Sequence, residues 1–338
     1  MNWRAWRPHY LVNRPVPESA TVDFRVDEAP GKMLPPTHVL RRSPSRLMNR
    51  LILTLPLALL VSFHTAVAAD PVVPLANPFY AFDNSFQRPG LSPEQQLDLV
   101  RELGFAGIAW HEAPPAVAKA AAQSAKARGL TLFTIYCAAQ VTPEGDLTYS
   151  PDLPALMASL QDHHTIIWLH LGGQGPAIAS LTGDEPLMKK LRGLADLAAT
   201  NGLSIALYPH FGEWTARFAD ATRVARLVKH PALGVTFNLC HCLATGDEAR
   251  IPSLLEEAAP ILTTVSISGA DAGVRGADWK RLIQPLDRGT YDAGIVLRKL
   301  KQIGFKGPIG FQGYGIAGDA RSILTPTMAK WRELVGAK

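Results

Sequence analysis

The chain has 338 residues, of which 47% are hydrophobic, and a formal net charge of +5 at pH 7. Nine of its 34 Lys and Arg and four of its 29 Asp and Glu lie within residues 1–50, so the remaining chain carries 25 of each. A neutral body lacks the basic surface that binds nucleic acid or an anionic membrane, and neither is expected as a partner. Three cysteines are too few to cross-link a domain with several disulfides, so we expect one large hydrophobic core to stabilise the fold.

The first predicted element is a signal peptide at residues 48–69. Arg50 precedes an apolar run over residues 51–63, and small residues follow that run up to Asp70, as in a cleavable export signal. The run contains Pro56 and is short for a membrane span. We therefore expect cleavage before Asp70 and an exported protein, periplasmic or extracellular, that is not held in a membrane.

Residues 1–47 precede this signal and show little hydrophobic periodicity. They are predicted to be a non-globular extension. A start at Met48 would place the signal at the N-terminus, where such signals ordinarily stand, so a mis-assigned start codon is one explanation. A cytoplasmic extension ahead of a signal anchor is the other.

Eight apolar or β-branched runs alternate with helical patterns after residue 70. The runs are residues 79–82, 107–110, 130–136, 165–171, 203–207, 233–237, 262–267 and 308–311. The helical patterns are residues 92–103, 115–128, 153–163, 185–200, 215–229, 251–259, 291–303 and 323–334. Such alternation predicts a parallel sheet, and eight repeats predict that the sheet closes. The predicted fold class is α/β, a single (β/α)8 TIM barrel over residues 70–338.

Chemically active side chains follow the fifth and sixth of these strands. His210 follows the run 203–207, and His241 follows the run 233–237. The carboxyl ends of barrel strands carry the active site, and a neutral imidazole can take a proton near pH 7. His210 and His241 are therefore the predicted catalytic acid–base residues.

Polar and aromatic side chains at the strand ends are the predicted substrate-binding residues. Tyr208, Asn238 and Gln312 offer uncharged hydrogen-bonding groups that suit sugar hydroxyls, and the indole of Trp214 can stack on a sugar ring. No Lys or Arg lies in residues 313–318, where barrels often bind phosphate, so an unphosphorylated carbohydrate is the expected partner. The full set of binding residues is Tyr208, Glu213, Trp214, Asn238, Gln312, His170 and His111.

Several short motifs keep a characteristic order along this eightfold pattern. They are the run 207–214, the Asn238-x-x-His241 turn, the loop 287–292 and the run 309–312. With these motifs the chain resembles the xylose-isomerase-like barrels, also called sugar phosphate isomerases/epimerases, over about residues 78–335. The resemblance implies a TIM barrel that isomerises or epimerises a sugar with a divalent metal as cofactor.

The resemblance also implies where that metal would bind. In the family a Glu, an Asp, a His and a second Glu hold it at the ends of strands five to eight. The matching positions here are Tyr208, Asn238, Ser266 or Ser268, and Gln312. None of these is a carboxylate or an imidazole, which the family's metal and its proton-shuttling chemistry require. No metal ligand is therefore predicted at these positions.

His241 matches the family outright, since it falls on the histidine of the family's Asp-x-x-His turn, which contacts substrate there. A metal site rebuilt from other side chains stays open as an alternative. Its candidate ligands are His111, Glu112, His170, His210, Glu213, His241 and Asp271.

Three functions are compatible with these residues. The first is an exported isomerase or epimerase, or a lyase-type enzyme, that moves a proton beside the carbonyl of a carbohydrate or keto-sugar. The second is a non-catalytic barrel that binds carbohydrate and has lost the family's metal site. The third is a glycoside hydrolase with Glu112 and Glu213 as its carboxylate pair, which would have to lie about 5 to 10 Å apart.

Overall fold

The structure, a computed structural model, describes residues 72–86 and 90–336. The predicted extension at residues 1–47 and the predicted signal peptide at residues 48–69 lie outside the described residues, and both stay predictions. In the part of the chain that is described, no helix is long and apolar enough to span a membrane.

Eight parallel strands close into a barrel, and a ninth strand lies beside them. The strands are β1 Phe79–Phe82, β2 Gly107–His111, β3 Thr131–Val141, β4 Leu147–Tyr149, β5 Ile166–Gly173, β6 Ser204–Tyr208, β7 Leu233–Asn238, β8 Leu262–Ile267 and β9 Ile309–Phe311. Around the barrel the order is β1, β2, β3, β5, β6, β7, β8 and β9, and β9 pairs with β1. The predicted (β/α)8 fold is confirmed. Strand β4 pairs antiparallel with β3 outside this ring.

Helices follow the strands and cover the outside of the barrel. They are α1 Pro93–Leu103, α2 Pro115–Ala127, α3 Leu153–Ser159, α4 Pro186–Thr200, α5 Phe218–Val228, α6 Leu239–Ala244, α7 Ile251–Ala258, α8 Trp279–Leu282, α9 Gly294–Gln302 and α10 Ala320–Val335. A helix overlaps each of the eight predicted helical patterns, whereas the short helices α6 and α8 were not predicted. Helix α3 ends four residues before its predicted end, because Asp162 and His164 adopt left-handed backbone angles with φ of 62° and 54°.

Aromatic side chains fill the interior of the barrel below its carboxyl end. Tyr80 and Trp168 are fully buried there, and the indole Nε1 of Trp168 donates a hydrogen bond to Thr264 Oγ1 at 3.0 Å. A Cβ on Gly310 would come within 2.5 Å of the Tyr80 ring, so this close approach requires glycine. His170 lies two residues after Trp168 on β5, on the same face of the strand, and therefore at the barrel mouth above this packed floor.

Candidate functional site

The predicted site residues lie at the carboxyl ends of the barrel strands. His111 and Tyr208 are the last residues of β2 and β6, Asn238 is the last residue of β7, and Gln312 directly follows β9. His170 on β5 is in register with Tyr208 on β6. Strand topology thus brings these side chains to one mouth of the barrel, the end at which barrel enzymes build their sites.

Three histidines form a row across one side of this mouth. The ring centroids of His210 and His241 are 4.2 Å apart, and those of His170 and His210 are 5.5 Å apart. Glu213 adjoins the row, with its Oε2 atom 3.6 Å from His170 Nε2. Strand β5, the loop after β6 and helix α6 after β7 therefore each contribute one histidine to a single cluster.

The peptide groups of Phe211 give His210 and His241 opposite tautomers. The backbone N–H of Phe211 donates to His241 Nδ1 at 3.2 Å, so the single proton of a neutral His241 ring is on Nε2. The carbonyl of Phe211 accepts from His210 Nδ1 at 3.1 Å, so His210 Nε2 carries a lone pair. Among the described residues, neither Nε2 atom has a hydrogen-bond partner.

Both rings are neutral at pH 7. Burial lowers the pKa of His210 to about 4, with a further contribution from His170 and an opposing one from the Glu213 carboxylate. Burial also lowers the pKa of His241 well below its usual value, and His210 and His170 act in the same direction. A neutral base at His210 therefore stands beside a neutral N–H donor at His241.

His170 extends this cluster toward the centre of the barrel. Its ring stacks on Tyr136 with centroids 5.7 Å apart and planes 6° apart. Both of its ring nitrogens are buried and make no hydrogen bond within the described part of the chain. Buried polar atoms normally have a partner, and the group nearest to Nε2 is the Glu213 carboxylate, at 3.6 Å.

A second group, of uncharged polar side chains, surrounds Tyr208. Asn238 Nδ2 donates to the Tyr208 hydroxyl and, at 3.5 Å, to Ser266 Oγ. Gln312 Nε2 also donates to the Tyr208 hydroxyl, at 3.4 Å. The amide oxygens are turned elsewhere: Asn238 Oδ1 accepts the His241 backbone N–H at 3.3 Å, and Gln312 Oε1 accepts from Asn84 Nδ2.

These polar side chains do not fit a divalent cation. Two amide N–H groups converge on Tyr208, where a cation would need oxygen lone pairs, and no carboxylate is among them. Burial raises the pKa of Tyr208 well above its usual value, so the phenol stays neutral. Within residues 72–86 and 90–336, no group of three or more His, Cys, Asp or Glu side chains is arranged to hold a metal ion.

Of the side chains considered for a rebuilt metal site, two carboxylates, Asp271 and Glu112, have other partners. Asp271 forms an ion pair with Arg281 at 2.9 Å. Glu112 has a hydrogen bond with the Ser150 side chain, and burial raises the pKa of Glu112. The histidine row therefore lacks these two carboxylates, and Glu213 is the acid in contact with it.

A family comparison identifies the fold. The model of a family described as xylose isomerase-like TIM barrel matches residues 97–322. The chain belongs to the xylose isomerase-like TIM barrel family. A sequence comparison with curated proteins found no match.

Solved structures with similar folds include other xylose isomerase-like barrels. One is a fusion of such a barrel with a 4-hydroxyphenylpyruvate dioxygenase, at 20% identity and a TM-score of 0.55, covering 76% of this chain and 42% of that chain. This chain thus spans less than half of that fusion protein.

Two further similar structures are sugar epimerases. One is a 3-keto-D-glucoside 4-epimerase from E. coli, at 15% identity and a TM-score of 0.56, covering 75% of this chain and 98% of that chain. The other is a D-psicose 3-epimerase from Clostridium cellulolyticum H10, at 14% identity and a TM-score of 0.51, covering 77% of this chain and 96% of that chain. At these identities the likeness shows a shared fold.

The predicted resemblance to the xylose isomerase-like barrels is therefore confirmed as family membership. The match of Tyr208, Asn238, Ser266 and Gln312 to the family's metal-ligand positions stays a prediction. What the structure adds is their mutual hydrogen bonding, which the sequence pattern did not indicate.

Three residues of this xylose isomerase-like barrel change the predicted site. Trp214 donates from Nε1 to the Pro176 carbonyl at 2.9 Å, so it secures a loop in addition to any contact with substrate. Trp279 on α8 packs against His241, with centroids 5.3 Å apart, and was not predicted. Asp83, which directly follows β1, was also missed, although the strand-end rule that identified His111 applies to it equally.

Proposed function

We propose that this barrel is an isomerase or epimerase that moves a proton beside the carbonyl of an uncharged sugar, with His210 as the base and His241 as the donor. The observation that carries the proposal is the opposite tautomers that the two peptide groups of Phe211 impose. Proton abstraction beside a carbonyl needs a lone pair at the carbon and a hydrogen-bond donor at the carbonyl oxygen. Adjacent imidazoles of opposite tautomer supply both.

The proton transfer proceeds in two steps. His210 Nε2 takes the proton from the carbon next to the carbonyl, and the electron pair of that C–H bond forms a carbon–carbon double bond. The carbonyl oxygen accepts a hydrogen bond from His241 Nε2–H as negative charge develops on it. The His210 imidazolium returns its proton to the former carbonyl carbon while the hydroxyl proton moves to the other oxygen, which gives the isomer. Exchange of the His210 proton with solvent and protonation of the opposite face of the first carbon by water give the epimer, and His210 is neutral again in both cases. No step involves a metal.

The polar group around Tyr208 supports a sugar as the substrate. Amides and hydroxyls without formal charge match the hydroxyl groups of an unphosphorylated sugar. The loop at residues 313–318 contains no Lys or Arg to bind a phosphate. The two epimerases of similar fold act on a keto-glucoside and a ketohexose, which favours the same substrate class here. We include an exported location in the proposal, on the strength of the apolar run at residues 51–63.

The decisive experiment measures exchange of carbon-bound hydrogen with solvent. Purified protein is incubated in D₂O with D-fructose, D-psicose, D-tagatose or a 3-keto-D-glucoside, and deuterium in the sugar is followed by NMR and mass spectrometry. We expect exchange beside the carbonyl, and a loss on the order of a hundredfold or more in His210→Gln and His241→Ala. His230→Gln is the matched control, because His230 lies in the loop before β7, at the other end of the barrel, where its Nε2 is 3.2 Å from Asp196 Oδ1 on α4.

The outcomes separate the three functions. Equal exchange in wild type, His210→Gln and His241→Ala would remove this mechanism. Saccharide binding by calorimetry without exchange would favour the non-catalytic barrel. Release of a reducing sugar from a disaccharide, lost on substitution of Glu112 or Glu213, would favour the hydrolase.

A further inference from the structure

We propose that the Tyr208 hydroxyl is a second hydrogen-bond donor in the reaction, and that its O–H group binds the carbonyl oxygen of the sugar beside the N–H of His241. This role rests on the proposed function and names a further group that stabilises the charge on that oxygen. Three features support it: the hydrogen bonds at Tyr208, the fixed direction of the amides around it, and the position of its hydroxyl in the barrel.

The oxygen of the Tyr208 hydroxyl accepts two hydrogen bonds. Asn238 Nδ2 donates one of them, and Gln312 Nε2 donates the other at 3.4 Å. A phenol has two lone pairs and one O–H group, so both lone pairs are engaged and only the O–H group is left to bond. None of the residues that the structure describes accepts this O–H group. Tyr208 is therefore a donor, and its proton is available to an oxygen of a ligand.

Backbone N–H groups fix which end of each amide faces the phenol. The His241 N–H donates to Asn238 Oδ1 at 3.3 Å, which leaves Nδ2 of Asn238 for the phenol. The Gly313 N–H donates to Asn84 Oδ1 at 3.2 Å, and Asn84 Nδ2 donates to Gln312 Oε1. Nε2 of Gln312 is then left for the phenol. A backbone N–H can only donate, so turning any of these amides would set two N–H groups against each other.

The hydroxyl of Tyr208 lies at the mouth of the barrel. It contacts Asn238, the last residue of β7, and Gln312, which directly follows β9. Both partners are at the carboxyl ends of their strands, so the hydroxyl is at that level too. The Tyr208 ring meets the His241 ring edge-on, with centroids 5.8 Å apart. The two donors therefore belong to neighbouring rings at the end of the barrel where substrate is expected.

A group that can only donate favours a carbonyl oxygen over a sugar hydroxyl. A carbonyl oxygen only accepts, whereas a hydroxyl bound there would also have to place its own hydrogen. The amide oxygens nearby already accept from His241 and Asn84. Burial raises the pKa of Tyr208 well above its usual value, so the phenol keeps its proton while it donates.

Two neutral donors at one oxygen form an oxyanion hole. The Tyr208 O–H and the His241 Nε2–H bind the carbonyl oxygen more strongly as it becomes negative. Tyr208 is 1% exposed, and hydrogen bonds to a developing charge are stronger in such surroundings than in water. Neither donor gives up its proton, so the proton transfer at carbon by His210 is unchanged. The amides that do not fit a cation hold this donor in place.

Two substitutions at position 208 test the donor and leave the aromatic ring. Tyr208→Phe removes the O–H group, whereas Tyr208→3-fluorotyrosine keeps it and makes the phenol a stronger acid and donor. Hydrogen exchange in D₂O is measured with D-fructose, D-psicose, D-tagatose and a 3-keto-D-glucoside. Tyr80→Phe is the matched control, because Tyr80 is a buried tyrosine of the same aromatic cluster at the floor of the barrel.

Binding of two non-reacting ligands gives a second readout, by calorimetry. D-erythronohydroxamate is an anionic analogue of the enediolate, and D-glucitol is a polyol that has no carbonyl group. A donor to the carbonyl oxygen contributes to the affinity for the hydroxamate and little to that for the polyol. A residue that only shapes the site would affect both ligands alike.

We expect Tyr208→Phe to lower the rate of exchange at saturating sugar on the order of a hundredfold, with KM changed less than about threefold. Its affinity for the hydroxamate is expected to fall about tenfold or more, and its affinity for D-glucitol to persist. Tyr208→3-fluorotyrosine is expected to exchange faster than wild type. A role in packing predicts no such gain, since fluorine adds bulk to a filled core. Tyr80→Phe is expected to change neither readout.

The results that overturn this role differ from those that overturn the proposed function. Unchanged exchange in Tyr208→Phe, or an equal loss of affinity for both ligands, rejects the donor role and leaves His210 and His241 as proposed. Wild type that exchanges none of the four sugars rejects the proposed function and this role with it. Thermal melts check the fold of each variant. If Tyr208→Phe is unstable, Tyr208→3-fluorotyrosine decides, and exchange that does not rise rejects the role.

Discussion

His210 and His241 pack with their ring centroids 4.2 Å apart and their planes tilted by 43°. The same residue, Phe211, bonds to both rings, with its carbonyl accepting from His210 and its N–H donating to His241. The two rings are therefore chemically unlike, although both are buried imidazoles in one cluster. The backbone of Phe211 therefore leaves a lone pair on Nε2 of His210 and an N–H on Nε2 of His241.

The first prediction concerns the pH dependence of turnover. A base works only in its unprotonated form, and burial lowers the pKa of His210 to about 4. We expect kcat/KM to stay level from neutral pH down to about 5 and to fall as the pH approaches about 4. An acid limb near the ordinary imidazole value of about 6.5 would contradict a buried neutral His210. Circular dichroism at each pH checks that the fold persists.

The second prediction separates a donor from a base at position 241. His241 Nδ1 is occupied by the Phe211 N–H, so its chemistry is that of the Nε2–H donor. A glutamine amide can donate from nearly the same place but cannot act as a base at neutral pH. We expect His241→Gln to retain clearly more kcat than His241→Ala, whereas His210→Gln and His210→Ala should be equally inactive. Equal losses in the two position-241 variants would exclude the donor role.

The third prediction is that the fold weakens in acid because two histidines are buried neutral. The folded pKa of His210 lies below the unfolded value, so between about 6.5 and about 4 the unfolded chain binds more protons and stability falls as the pH falls. Below about 4 both states are protonated and the loss levels off. Its size is up to about 3 kcal/mol for His210.

Urea unfolding at pH 7 and pH 5 tests this dependence. His210→Gln does not titrate and is expected to lose less stability than wild type between the two values. His230→Gln serves as the control, and an equal loss in wild type and His210→Gln would contradict the prediction.

The fold was predictable to the residue at two strands. The bounds of β1 Phe79–Phe82 and β8 Leu262–Ile267 agree with the predicted runs, because each is rich in apolar or β-branched residues and is followed by a polar residue. Strand β4 and helix α8 have three and four residues, too few for a period to show. The early end of α3 depends on backbone angles at Asp162 and His164, which have no sequence signature.

The sequence predicted which residues the barrel brings to one mouth, and the catalytic and binding roles of these residues stay predictions. His210 and His241 were predicted because each follows a predicted strand, and the carboxyl ends of parallel barrel strands meet at one mouth. Which nitrogen of each ring carries the proton depends on Phe211, whose peptide groups reach both rings only in the folded chain. Trp279 comes from a four-residue helix in a long loop, and no periodicity pointed to it.

The fourth prediction is that wild type retains no stoichiometric divalent ion. Amide N–H groups of Asn238 and Gln312 point at Tyr208, where ligand oxygens would be required. Elemental mass spectrometry after growth with manganese, zinc and calcium and dialysis measures this directly. The Asn238→Asp, Gln312→Glu double variant places two carboxylates there and is expected to bind divalent ions measurably. One ion per chain in wild type would show that the donor set rearranges.

The fifth prediction assigns Trp279 to substrate binding. Its indole packs against His241 at 5.3 Å and Phe211 at 6.0 Å between centroids, so it covers the His210–His241 pair from the side of α8. We expect a sugar ring bound at these histidines to contact the indole, and aromatic contacts of this kind contribute about 0.5–1.5 kcal/mol. We expect Trp279→Ala to raise KM about two- to tenfold with little change in kcat, and Trp279→Phe to preserve most of the affinity. We expect the sugar to quench less Trp fluorescence in both variants than in wild type. A fall in kcat with unchanged KM would instead show that Trp279 acts by holding His241 in position.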